Sequence, residues 1–476
     1  MFVGRENELA ALNKLYDEHT FQMVVIYGRR RIGKTTLISE FISDKPAINF
    51  TAQEVNDALN LAQFSKKVYN FFDIPGSIGA FGSWNDAFDF LAVKAKERQF
   101  ILAFDEFPYA ASANRSLKSI LQIAIDHHFR DSGLFLILSG SHIGFMENDV
   151  LGYKSPLFGR RTAQLKLEGF DYYDAGKMLG GFSIEDKIKL YACIGGTPHY
   201  LALIKENESF EENIRRLYFD MSGYLFNEPT MLLQQELREP AMYNSIIATI
   251  AGGATKLNEI AAKIGEDSPK VSKYLQTLVN LQIVSKKYPF GENPQSSRKG
   301  LYRLVDNCYE FWYRFVFPNI PEIESGSGDV IADMQVFGDE LSSYIGKPPF
   351  ETICLQYLQR ANRNKLLPFV STSFGSWWGN DPKEKSQADF DVIAANRRNK
   401  QIILGECKWR SSINLVEEAK RLMGKQHLLE EYSERYYYLF LKPSTKDRQK
   451  ADGITVITAE QLYDMWDIGT VPVSHV

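Results

Sequence analysis

Four nearly continuous apolar runs open the chain: Gln22–Gly28, Ala47–Ala52, Phe100–Phe107 and Leu134–Ser141. Runs without polar alternation are what strands buried on both faces of a sheet require. Helix-like stretches separate them, so the pattern predicts βαβ units and a parallel sheet over about residues 1–163. From 164 to 238 the period changes, predicting helices at Asp171–Leu179, Ser183–Ala192, Thr197–Leu203 and Glu211–Phe219. From 239 to 305, short helices around Ala241–Ala251, Leu257–Ile264 and Ser268–Leu278 precede strand-like Ile283–Tyr288, a turn-rich Pro289–Gly300 and Leu301–Val305. Three helices followed by a hairpin is winged-helix order. The remainder, 306–476, passes through PNIPEIESGSGD (Pro318–Asp329), which reads as a linker, and ends as a compact α/β unit.

Length and composition narrow the class. The chain has 476 residues, 44% hydrophobic and 24% charged, an ordinary globular balance. No apolar stretch approaches the roughly 18 residues of a membrane span. The start, MFVGRENEL, carries charge at Arg5, Glu6 and Glu8, so no secretory signal is expected. The four cysteines, Cys193, Cys308, Cys354 and Cys407, lie far apart with no CxxC, which suits a reducing cytoplasm. A net charge of −4 advertises no global affinity for nucleic acid, so any such role must come from local patches.

The segment after the first strand, GRRRIGKTT (Gly28–Thr36), is G-x-x-x-x-G-K-T between a strand and a predicted helix Leu37–Ile42. Gly28 and Gly33 let backbone N–H groups turn toward a polyphosphate, Lys34 reaches the β and γ phosphates, and Thr35 offers a hydroxyl to Mg²⁺. Arg31 and Thr36 complete the expected nucleotide contacts. The third strand ends in Asp105 and Glu106, at the edge where the loop also lies. Asp105 is expected in the Mg²⁺ shell, and Glu106 is expected to orient or deprotonate the attacking water. Ser141 or His142, after the next strand, touches the γ-phosphate or the water, or else caps a helix.

These segments, with FVGRENEL, SPLFGRR and GGTPHY, resemble the archaeal-type ATPase family, a branch of the AAA+ and STAND-like P-loop ATPases. The resemblance implies an ATP-hydrolysing core with a helical lid. It implies that Arg160, in SPLFGRR, acts as a charge sensor or arginine finger; in trans, this would need a homo-oligomer. It also implies that Pro198 packs near the nucleotide and that Phe2–Glu6 lies on the adenine side.

In the third segment, Ser268 reads as an N-cap and Pro269 as the first helical residue. Ser268 to Arg303 holds seven Lys or Arg and one acid, Glu292, a local balance of +6. Lys270 and Lys273 on the helix, with Lys286 and Lys287 beside the wing, suit DNA phosphates. The other reading is an interaction module for the lid or a subunit.

The last segment contains QADFDVIAANRRNKQIILGECKWR. Asp389–Ala394 and Gln401–Trp409 alternate as strands joined by Asn396–Lys400. Period two puts Asp389 and Asp391 on one face and Glu406 and Lys408 on one face, and cross-strand pairing brings Asp391 to Glu406. Asp391 and Glu406 would bind Mg²⁺, Lys408 would position water or stabilise the phosphate, and Glu351 could add a carboxylate. The pattern resembles the PD-(D/E)xK nuclease fold, with Phe390 where that family has proline. Trp377 and Trp378 read as core or as a stacking surface for a base. The helix Asn414–Leu429, with Lys420, Arg421, Lys425 and Gln426, reads as a groove lining or as a solvated face.

The fold class expected is therefore multidomain α/β: a P-loop parallel-sheet ATPase core (1–163), helical lid (164–238), winged helix (239–305), and a linker with a restriction-endonuclease-like domain (306–476). The expected function is ATP-driven DNA processing with a nucleotide-controlled nuclease domain. The alternative is a nucleotide-controlled switch that binds DNA or a partner and whose last domain is inert.

Overall fold

The computed structural model describes residues 2–75, 79–237, 239–443 and 452–464. The chain divides into two units, one of residues 1–169 with Thr197–His199, the other of Phe170–Gly196 with the chain from Tyr200 onward.

The first unit is built on five parallel strands, β1 (Gln22–Tyr27), β2 (Ala47–Thr51), β3 (Phe100–Asp105), β4 (Leu134–Gly140) and β5 (Ala163–Lys166). Their order is β2-β3-β4-β1-β5. β1, β3 and β4 are buried at every position because helices cover both faces. Alternate residues feed two cores: Met23, Val25 and Tyr27 join Phe64, Trp84 and Phe104 on one face, while Val24 and Ile26 join Leu12, Leu37 and Phe41 on the other. The expected boundary at 163 cuts this unit at the first residue of β5. That strand, AQLK, is short and half-exposed, so it carries no apolar run to read. The stretch Phe100–Phe107 also splits: the strand stops at Asp105, and Phe107 already belongs to helix Phe107–Ala113.

In the second unit the helices Pro240–Ala251, Leu257–Ile264 and Ser268–Asn280 precede an antiparallel pair, β6 (Val284–Lys287) and β7 (Leu301–Leu304). The N-cap of the third helix is Asp267, whose carboxylate accepts from the Lys270 N–H at 2.7 Å, so the expected cap is one residue late. Pro318–Asp329 is not a linker. It forms consecutive short helical turns, Ile320–Glu322, Ile323–Ser327 and the start of Gly328–Ile331. The prolines sit in first turns, where no N–H is needed, and Gly326 at φ +87° makes the kink. Ile323 is buried, and a Cβ on Gly328 would lie 1.8 Å from the Phe219 carbonyl oxygen, so the segment is packed.

A mixed sheet follows: β8 (Ser373–Asp381), β9 (Ser386–Asn396), β10 (Gln401–Lys408), β11 (Glu434–Leu441) and β12 (Ile454–Thr458), in order β12-β11-β10-β9-β8. The β8–β9 and β9–β10 pairs are antiparallel, and β10–β11 and β11–β12 are parallel. The helix expected at Asn414–Leu429 is shorter, Leu415–Gly424, capped by the Asn414 side chain and followed by a 3₁₀ turn at Lys425–His427. All four cysteines are buried, and none of them forms a disulfide. Among the described residues, no helix is long and apolar enough to cross a membrane.

Candidate functional site

At the carboxyl end of β1 the chain turns sharply. Gly28 passes so close to the end of the neighbouring strand β5 that a Cβ would stand 2.3 Å from the Leu167 carbonyl oxygen. Arg31 is left-handed at φ +68°, and Gly33, at φ +90°, caps helix Lys34–Ile42. The helix therefore starts three residues before the expected Leu37, putting Lys34 and Thr35 in its first turn with the N–H groups an anion would use. Lys34 is buried, with Nζ donating to the carbonyls of Gly28 and Arg29, each at 3.0 Å. Thr36 is exposed on the same turn.

The acidic pair sits opposite. Asp105 is 3% exposed. Its Oδ2 accepts from the Thr35 hydroxyl at 3.0 Å, and its Oδ1 accepts from the Ser139 hydroxyl and the Glu106 N–H. Glu106 is left-handed at φ +50°, and its Oε2 accepts from both the N–H (3.2 Å) and the hydroxyl (2.9 Å) of Ser141. His142 caps the next turn, its Nδ1 accepting from the Phe145 N–H at 2.9 Å. Lys34, Thr35, Asp105, Glu106 and Ser141 are thus brought together from three strand ends.

Sequence reading missed three supports. Ser139 holds Asp105, and only its position one pleat before Gly140 hints at it. Arg5, in the N-terminal stretch, donates to the carbonyls of Ile32 and Glu168, bracing the loop from behind. Arg30 donates to the Tyr109 hydroxyl at 3.0 Å. Pro198 does approach the loop: a Cβ on Gly33 would be 3.9 Å from its Cγ. Arg160 is engaged elsewhere. Nε and Nη2 clamp Asp126 (3.0 and 2.5 Å), and Nη1 donates to the carbonyls of Pro156 and Phe158. That clamp holds the Asp126 carboxyl below its ordinary value.

In the second unit, Asp391, Glu406, Glu351 and Lys408 also converge. Asp391 Oδ2 accepts the Cys407 N–H at 2.9 Å, across the β9–β10 pair. Burial, with the charges of Glu351 and Glu406, pushes its carboxyl up to about 8. Glu406 Oε2 meets Lys408 at 3.0 Å, and its Oε1 meets Lys425 at 2.6 Å. Glu351, on helix Pro349–Arg363, meets Lys347 at 3.0 Å; the same ammonium lies 3.8 Å from Asp391. Burial alone would lower Lys408, but Glu406 outweighs it and the ammonium is held above its usual range. Among the described residues, no three His, Cys, Asp or Glu side chains close on one point as a ready metal cage; lysines stand between the carboxylates. Lys425 is the member the sequence left open, and its role here is an ion pair rather than a solvated face.

The basic stretch is partly spent. Lys270 pairs with Glu266 (2.8 Å) and Lys299 with Glu292 (2.7 Å). Lys273 and Lys287 are exposed, and Lys286 lies over the rings of Tyr302 and Tyr288. The loop joining β6 to β7 is docked: the Phe290 N–H donates to the Ser376 carbonyl at 2.8 Å and its ring packs near Gly375 and Tyr432. Trp377 and Trp378 are half-buried, Trp377 against Phe390 at 6.1 Å.

A parallel sheet whose carboxyl edge presents a phosphate loop, a first-turn Lys-Thr and an acidic pair defines a P-loop nucleotide-hydrolysing core. Residues 2–204 match the family described as an ATPase domain predominantly from Archaea, and residues 312–422 match one described as archaeal and bacterial proteins of unknown function. "Uncharacterized protein MJECL04" of Methanocaldococcus jannaschii is 31% identical over 412 residues, 86% of this chain and 88% of its own. A 45-residue stretch, 10% of this chain, is 44% identical to "Uncharacterized ATP-binding protein MJ0423" of the same organism and covers 76% of it. The Walker-type ATPase PABY2304 of Pyrococcus abyssi shares the fold, with TM-score 0.51 at 19% identity over 66% of this chain and 96% of that one. The chain belongs to the archaeal-type ATPase family, and it carries a separate C-terminal mixed-sheet domain.

Proposed function

We propose that the chain hydrolyses ATP with Mg²⁺ at the phosphate loop and uses the nucleotide state to govern a DNA-processing C-terminal domain. The observation that carries the first half is the 3.0 Å bond from Thr35 to Asp105 beside a buried Lys34. A hydroxyl and a carboxylate so paired are the oxygen donors Mg²⁺ takes in such cores, and they fit it. When bound, the ion neutralises charge on the β and γ phosphates. Lys34 leaves its loop carbonyls for the phosphates, and Gly28, Arg31, Gly33 and Thr36 present the wrapping backbone. Glu106, held by Ser141, takes a proton from water as its oxygen bonds to the γ phosphorus. The bond to the β–γ bridging oxygen breaks, and ADP leaves.

The C-terminal reading is supported by hard oxygen donors at Asp391, Glu406 and Glu351, with Lys408 beside them, on a sheet whose order and directions suit a PD-(D/E)xK nuclease. A metal there would supply Lewis acidity to a phosphodiester. Lys408 would hold the scissile phosphate. The three helices and hairpin suit a winged helix, with Lys273 and Lys287 free for DNA phosphates and Lys270 and Lys286 close by. The second reading, a switch with an inert last domain, has one observation in its favour: Lys347, Lys408 and Lys425 already neutralise the carboxylates. Supercoiled plasmid with Mg²⁺ or Mn²⁺ separates the two. Nicking lost in Asp391→Ala and Lys408→Ala supports the nuclease; intact plasmid in every nucleotide state supports the switch.

A further inference from the structure

Three arginines follow one another in the phosphate loop, and wrapping a phosphate with backbone N–H groups requires none of them. Arg30 stands out by what it reaches. Its Nη2 donates to the Tyr109 hydroxyl at 3.0 Å, on helix Phe107–Ala113, which begins directly after Glu106. In the sheet, β1 and β3 are not neighbours; β4 lies between them. The loop leaving β1 and the helix leaving β3 therefore form opposite lips of a crevice at the end of β4. Inside it lie Lys34, Thr35, Asp105, Glu106 and Ser141. Ligands of such sheets bind there, outside the carboxyl ends where the strand order reverses. The Arg30 side chain spans this opening.

A guanidinium has five N–H donors in a planar fork, and the bond to Tyr109 uses one. Its partner is a neutral phenol, so the positive charge is not cancelled. Arg160 is the contrast: its nitrogens are distributed over the Asp126 carboxylate and two carbonyls, and the carboxylate cancels its charge. Lys34 grips phosphate in the ground state and the transition state alike. A cation that gains contact as charge spreads over the peripheral oxygens is what raises turnover.

We infer that Arg30 is a catalytic residue of the hydrolysis, supplying from the phosphate loop of the same chain the cation that stabilises the transferring phosphoryl group, with Tyr109 positioning it. This rests on the phosphate-loop reading above. As water attacks the γ phosphorus and the bridging oxygen departs on ADP, the guanidinium meets the oxygens whose charge is growing.

The full chain is assayed for phosphate release and, by calorimetry, for ADP binding with and without aluminium fluoride, which mimics the transferring group. Arg30→Ala is expected to lose about 10²–10³-fold in kcat. Its ADP affinity stays within about threefold, and the tightening by aluminium fluoride disappears. Arg30→Lys recovers less than about a tenth of the rate, because an ammonium lacks the fork. Tyr109→Phe lowers kcat several-fold at constant KM. The specific activity of the wild type stays constant over about a 50-fold dilution. Three results overturn the inference: Arg30→Ala that keeps its rate and its fluoride tightening, Arg30→Ala that runs faster, or activity restored by mixing Arg30→Ala with Lys34→Ala. Hydrolysis that persists in Lys34→Ala alone instead discards the phosphate-loop reading beneath it.

Discussion

Thr35 and Asp105 lie seventy positions apart, yet the hydroxyl of one donates to the carboxylate of the other at 3.0 Å. Parallel strands bring this about: β1 and β3 both deliver their carboxyl ends to one edge, the loop following β1 and the acid ending β3. Asp105→Asn keeps the volume and an oxygen that can accept from Ser139 and the Glu106 N–H, but it replaces the acceptor facing Thr35 with an amide NH₂ and removes the charge. Its expected signature is a loss of about 100-fold or more in ATP turnover with a raised Mg²⁺ requirement, read by phosphate release across a Mg²⁺ titration.

Glu106 accepts two bonds from Ser141, which aims one oxygen and leaves the other for water. Glu106→Gln retains these contacts and cannot take a proton. ATP should still bind with near wild-type affinity in a calorimeter, while hydrolysis falls about 10²–10³-fold. Weakened ATP binding of similar size would assign Glu106 to phosphate recognition instead.

In the second unit Arg360 grips Asp171 at 2.6 Å and both oxygens of Asp174 at 3.2 Å, with side chains 12% to 18% exposed. Burial alone would raise the Asp174 carboxyl; the bonds from Lys177 and Arg360 outweigh it and hold it below its ordinary value. A carboxyl lowered by folding contributes stability above its unfolded-state value, about pH 4, and loses it as pH falls through the folded value. Arg360→Ala should cost about 2 kcal/mol in urea unfolding at pH 7, because Asp171 and Asp174 lose their shared guanidinium while Asp174 keeps Lys177 at 2.7 Å. The gap from wild type should narrow steadily below pH 4.

Phe290, at the β6–β7 loop, is tied to β8 by its N–H and packs on Tyr432. Phe290→Ala should destabilise by roughly 1–2 kcal/mol, less than a fully buried Phe. Hydrogen exchange at β8 near Ser376 should speed up, while exchange in β1 and β4 should not change. Uniform acceleration across both units would contradict a local dock.

Much of the first site was legible because its chemistry is local in sequence. Gly28, Gly33, Lys34 and Thr35 lie within eight residues, and the all-buried strands around them read as apolar runs. The β9–β10 hairpin was legible for the same reason: period two and a short turn set which carboxylates meet. Less legible were the pieces whose signal is weak or ambiguous. The strand Ala163–Lys166 alternates over four residues only. Pro318–Asp329 reads as breakers, yet its prolines begin helical turns and its isoleucines pack. The cap at Asp267 rather than Ser268 is a choice between two good capping residues.

By itself the amino-acid order determined the phosphate loop, the acidic tip of β3, the parallel class of the first sheet and the antiparallel β9–β10 hairpin. Each follows from spacing or period along one stretch of chain. Only the tertiary structure decided that Arg160 serves Asp126, that Arg30 reaches Tyr109 and that Lys425 closes on Glu406. Long flexible side chains take whichever partner the packed elements bring within reach, and sequence spacing carries no record of that distance.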